Sequence, residues 1–84
     1  MNKVKQPIHL KDAQLFLDEC CKTHEKVKIV ALTSTGEIRR YDGWQVISSF
    51  WRAGTHNILN PVSGQKRKVR DVLIFYINEH PIYL

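Results

Sequence analysis

The segment Lys66-Arg67-Lys68-Val69-Arg70 places four cations in five residues. Laid out as a β-strand, Lys66, Lys68 and Arg70 share one face. Such a row can follow a phosphate backbone and gain affinity by counterion release. The competing use of the same lysines is to keep a sheet edge from aggregating. A second set, Arg39, Arg40, Tyr41, Trp44, Trp51 and Arg52, interleaves cations with aromatic rings. Single-stranded nucleic acid is commonly held in this way, its bases stacked on aromatic faces beside a positive groove. Trp44 and Trp51 are also the largest side chains available to fill a thin core, and that use competes with recognition.

Other constellations carry less chemistry. Cys20 and His24 stand one helical turn apart, which is half of a metal site. A structural zinc needs four ligands in a tetrahedron, and His9, His56 and His80 supply no second pair at suitable spacing. Cys20 and Cys21 fall late in a predicted helix, where the dipole disfavours a thiolate nucleophile. Asp18 and Glu19 are adjacent and cannot face each other on a helix, so they make a poor general acid/base pair. The four glycines are scattered and form no phosphate-binding loop. These readings favour a binding module over an enzyme, with neither metal nor cofactor expected.

The elements that position these residues have to fit in 84 residues, which is expected to be a single domain over 1–84. A chain of that size has a thin core. Hydrophobic residues make up 43% and charged residues 25%, an ordinary globular mixture, and the formal charge is +5. Most of that excess lies between residues 39 and 71, where Arg39, Arg40, Arg52, Lys66, Arg67, Lys68 and Arg70 face only Asp42 and Asp71. A positive surface favours anionic partners. The two cysteines form no disulfide framework, no secretory leader pattern is present, and no apolar run is long enough to span a membrane. The expectation is a reduced, cytoplasmic protein without a membrane partner.

Residues 1–7 read as a loose N-terminal segment ending at Pro7, which cannot sit inside a helix. Residues 10–25 read as one amphipathic helix. Ala13, Phe16, Leu17, Cys20, Cys21 and His24 recur at spacings of three and four, while Lys11, Asp12, Gln14, Asp18, Glu19, Lys22 and Glu25 fall largely on the other face. Everything from 26 to 84 reads as β. A central strand runs from Lys26 to Ser34 and turns at Gly36, and a return strand covers Glu37 to Tyr41. Asp42-Gly43 reads as a second turn, leading to a strand from Trp44 to Arg52 and a turn at Ala53-Gly54. Thr55 to Leu59 is a short strand, Arg67 to Ile77 a long one, and Ile82 to Leu84 a short edge strand. The fold class is α+β: an N-terminal helix, then a five- or six-stranded, strongly bent antiparallel sheet or small barrel of the Sm-like or SH3-like kind.

That layout resembles the small Sm-like barrels, which include the Sm and Hfq-type RNA-binding proteins. This chain departs from their usual Asp-x-x-x-Asn motif, since Val46 stands four residues after Asp42, and from their Arg-Gly or Lys-His, since Arg70 is followed by Asp71. A closer resemblance is to the Rho-binding antiterminators. It rests on Gln6-Pro7-Ile8 before the helix, Cys20 or Cys21 with His24 near its end, the Gly36-Glu37 turn, and Gly64-Gln65-Lys66-Arg67-Lys68-Val69-Arg70. The resemblance implies the barrel fold and a protein-binding regulator that inhibits termination factor Rho. That family binds Rho through an acidic surface, whereas charge here concentrates as positive.

The sequence therefore leads to a small non-enzymatic binding module that takes RNA or single-stranded DNA on a basic face. Its residues are Arg39, Arg40, Arg52, Lys66, Arg67, Lys68 and Arg70, with Trp44 or Trp51 as stacking platforms. The alternative is a regulator acting by protein–protein contact, either antiterminator-like or docking through a sheet edge.

Overall fold

The computed structural model describes residues 5–50 and 52–84. Its elements are β1 (Ile8–His9), α1 (Leu10–Thr23), β2 (Lys26–Leu32), β3 (Ile38–Phe50), β4 (Thr55–Leu59), β5 (Lys66–Arg70), a 3-10 turn (Asp71–Leu73), β6 (Ile74–Ile77) and β7 (His80–Tyr83). The fold is α+β: one helix and a seven-stranded sheet in the order β1-β7-β6-β2-β3-β4-β5. Two features differ from the expectation of a helix and then a purely antiparallel sheet. A short strand precedes the helix, and it pairs in parallel with β7, so the sheet is mixed. The sheet is also open, with β1 at one edge and β5 at the other, and is not closed into a barrel. The expected edge strand at Ile82 is covered by β1, since Ile8 lies opposite Ile82.

The helix begins where the His9 ring accepts a hydrogen bond from the Lys11 backbone N–H. It ends at His24, which takes the left-handed conformation at φ 59° and donates its N–H to the Cys20 carbonyl. Ala13, Leu17 and Cys20 are buried against the sheet, with Phe16 and Cys21 partly buried beside them. His24, placed on the apolar face by its spacing, is instead the exposed cap. The core they meet is built by Val27, Ile29 and Ala31 of β2, Tyr41, Trp44 and Val46 of β3, Ile58, Val69, Ile74 and Ile77.

β3 is one strand of 13 residues, not two strands joined by a turn at Asp42-Gly43. Gly43 has φ +73° and no partner across the pair, because Val27 lies opposite Trp44 while Lys28 lies opposite Asp42. A residue able to take positive φ inserts here as a β-bulge, and the strand continues. The bulge shifts the side-chain alternation by one, so Tyr41 and Trp44 both point to the core although they are three apart. A second bulge lies further along, where Val46 pairs Ile58 and Ser48 pairs Asn57, leaving Ile47 as the extra residue.

The expected long strand from Arg67 to Ile77 is broken in two by the 3-10 turn at Asp71. A continuous strand would alternate Val69, Asp71 and Leu73 on one face, and the carboxylate needs partners when it is buried. Breaking the strand brings those partners to it. The β6–β7 hairpin closes with Asn78 and Glu79, both at positive φ (49° and 71°), as a two-residue turn of the primed kind requires.

Candidate functional site

A cleft of about 920 Å³ opens between the β2–β3 hairpin and β5. Its apolar floor is formed by Ala31, Tyr41, Trp44, Val69 and Leu73, and its rim carries Arg39, Arg40, Arg67, Lys68 and Arg70. Thr33, Ser34, Thr35 and Gln65 complete the polar lining. The hairpin side is held by its own turn: the Thr33 hydroxyl accepts from the Glu37 N–H at 3.1 Å, and the Thr33 N–H donates to the Glu37 carbonyl at 2.7 Å. The β5 side is held by the Asn60 loop, where the Asn60 N–H donates to the Gln65 carbonyl at 2.8 Å.

Five of the nine residues expected to contact nucleic acid are cations on this rim, and Trp44 is part of its floor. Arg39 pairs with Glu37 at 3.3 Å, both side chains remaining largely exposed. Arg67 donates to the Lys66 carbonyl at 2.8 Å. Arg40, Lys68 and Arg70 have no acidic partner within ion-pair distance among the described residues. Lys66 is exposed on β5 but lies outside the cleft lining, as does Arg52 in the β3–β4 turn. Lys66, Lys68 and Arg70 do share the outer face of β5, opposite buried Val69.

Trp44 is only 8% exposed and belongs to the core. Its indole meets the Tyr41 ring edge to face at 5.1 Å, which makes it a packed part of the floor and not an open stacking face. Trp51 lies outside the described residues, as do residues 1–4 of the N-terminal segment.

The sequence reading missed a second polar cluster. His56 of β4 is 2% exposed and sits between two carboxylates. Its Nδ1 lies 2.6 Å from Asp71 and its Nε2 2.8 Å from Asp18. The Ser49 hydroxyl donates to the same Asp18 oxygen at 2.7 Å, and the Gln14 amide donates to Asp71 at 3.0 Å. Gln14 and Asp18 belong by spacing to the polar side of the helix, yet they turn inward to close this network. The bulge at Ile47 makes it possible, because it brings Ser49 opposite His56.

Both ring nitrogens of His56 face acceptors, so both contacts are satisfied when the ring carries two protons. Burial pulls the His56 pKa down, but hydrogen bonds to Asp71 and Asp18, with their charges, outweigh it and hold it above the ordinary histidine value. For Asp18, burial pushes upward, and the hydrogen bonds from His56 and Ser49 prevail and lower its pKa. Neither nitrogen is left to take a proton from Ser49, whose hydroxyl is aimed at Asp18. The cluster is therefore a strut that ties α1, β3, β4 and the 3-10 turn together, and lacks the geometry of a nucleophile with its base.

Cys20 is buried, which with nearby Glu25 and Glu19 pushes its thiol pKa up. Among the described residues no three His, Cys, Asp or Glu side chains come together to hold a metal ion. Among the same residues no helix is long and apolar enough to cross a membrane. The chain matches no family model, no curated protein and no solved structure.

Proposed function

We propose that the protein is a non-enzymatic module that binds single-stranded nucleic acid, RNA or DNA, in the basic cleft. The observation that carries this reading is the convergence of Arg39, Arg40, Arg67, Lys68 and Arg70, from strands far apart in sequence, on one cleft with an apolar floor. Cations on a rim neutralise phosphates, and an apolar floor accepts bases that a duplex would keep stacked inside itself. β2 and β5 are separated in the sheet by β3 and β4, yet Ala31 and Val69 line the same cleft. This supports a strongly bent, Sm-like or SH3-like course for β2 to β5 as part of the proposal.

The test is fluorescence anisotropy with labelled RNA, single-stranded DNA and duplex DNA across a salt series. Single strands should bind more tightly than duplex. With all five rim cations engaged, the log–log salt slope should be about −3.5. Replacing Arg67, Lys68 and Arg70 together by Ala should flatten the slope by roughly 2 and weaken every sequence alike. Absence of binding at low salt would remove the proposal.

A second reading, a protein-binding regulator, draws on β5 being an open sheet edge. An extended segment of an acidic partner could add to it as a strand. That reading requires a stoichiometric complex recovered after nuclease treatment.

A further inference from the structure

Arg39 and Arg67 differ from the other rim cations in register. Residues opposite one another in an antiparallel pair share a face of the sheet. Arg39 lies opposite Ala31, and Arg67 lies opposite Ile58. Ala31 and Ile58 are both buried core residues. The two arginines therefore occupy inner-face positions of β3 and β5, two residues along from buried Tyr41 and Val69. Arg40 lies opposite Val30 and Lys68 opposite Asn57, so these two belong to the outer face. The cleft thus has two tiers: outer cations that meet only phosphates, and two guanidiniums on the side of the apolar floor, whose charge adds to the attraction for phosphates while the fork can reach a base edge.

The polar lining consists of the cations, which only donate, and of the hydroxyls of Thr33, Ser34 and Thr35 and the Gln65 amide, which donate or accept, with no Asp or Glu among the described lining residues. The guanidiniums are the groups that discriminate among bases. Guanine presents O6 and N7 as adjacent acceptors, which a guanidinium takes with two parallel hydrogen bonds. Adenine and cytosine set an amino donor, N6 or N4, beside the ring acceptor, so a guanidinium fork placed there makes at most one of its two bonds. Glu37, which adjoins Gly36 of the lining, lies 3.3 Å from one guanidinium nitrogen of Arg39.

We infer that the cleft selects guanine within a single strand, and that Arg39 and Arg67 are the residues that read its O6/N7 edge. This rests on the single-strand reading above and adds the specificity to it. Lysine at either position keeps the charge but loses the planar fork, so charge and readout separate experimentally.

The experiment compares three short labelled strands of A and C: one with a single central guanine, one with 7-deazaguanine there, and one with adenine there. The guanine strand should bind about tenfold more tightly than the adenine strand, the size of one good bidentate contact. The 7-deaza strand, which lacks N7, should lose most of that advantage. Arg39→Lys and Arg67→Lys, which keep the charge, should weaken the guanine strand more than the adenine strand and so remove the preference in at least one variant. Equal affinity for all three strands, or a preference that survives both lysine variants, overturns the inference while leaving the single-strand reading intact. No binding of any strand at low salt overturns both.

Discussion

The molecule gathers charge in two places and treats it in opposite ways. Around His56 two carboxylates are drawn into or against the core, and each is met by a donor: the His56 ring, the Ser49 hydroxyl, the Gln14 amide. Around the cleft, cations crowd together on exposed strands, and Glu37 is the one acid within ion-pair reach of them among the described residues. Buried charge without partners is costly, so a fold that keeps Asp71 inside has to build its partners around it. Exposed cations remain hydrated and carry no such demand, so they can stay crowded until an anionic ligand relieves them. The first arrangement holds elements in place, and the second leaves interaction energy for a partner.

The most damaging change should be at His56. Replacing it with Ala leaves Asp71 buried without its charged partner, and unfolding in urea should show a loss of about 3–5 kcal/mol. The rim should behave in the opposite sense. Arg70→Ala and Lys68→Ala, each at an exposed site, should change stability by less than about 0.5 kcal/mol while weakening oligonucleotide binding. A cleft variant that unfolds as readily as the His56 variant would abolish the contrast between strut and interface.

The pH dependence sharpens the contrast. His56 has a raised pKa in the folded state, so its contribution is fully present below about pH 6.5 and is lost as pH rises through the higher folded value. Asp18 has a lowered one, so its contribution is present above about pH 3.9 and is lost as pH falls through the lower folded value. The network is therefore strongest in mildly acidic solution, and urea midpoints measured from neutral to alkaline pH should decline. His56→Gln should flatten that decline.

A modest loss of stability is expected at the bulge that orients the cleft floor. Gly43→Ala meets no atom within 4 Å of the added carbon, so the cost is only that of holding Ala at φ +73°, about 1 kcal/mol. A much larger loss would mean that the bulge cannot tolerate the change and that Trp44 shifts with it.

The His56 region is largely hidden in the chain, whereas much of the basic region can be read from it. The row Lys66, Lys68, Arg70 comes from the period of two along a strand, and these residues do share a face. The helix expected over 10–25 is observed as Leu10–Thr23, because its apolar spacing of three and four is a local property. Asp42-Gly43 does not turn the chain, because a positive-φ glycine serves a bulge as well as a turn, and only the partner strand selects between them. The His56 network is hard to read from the chain because Asp18, His56 and Asp71 are far apart in sequence. A signal is present in the alternation Val69, Asp71, Leu73, which would bury an acid.

The order of residues alone is enough for the helix and its buried stripe, the β character of residues 26–84, the hairpin at Gly36 and the concentration of positive charge after residue 38. All of these depend on composition, short-range periodicity or the conformational range of single residues. It takes the folded arrangement to bring Arg39 and Arg67 to one cleft, to cover the edge at Ile82 with β1, and to close two carboxylates on His56. Those outcomes depend on register, and a bulge of one residue turns every later side chain to the other face.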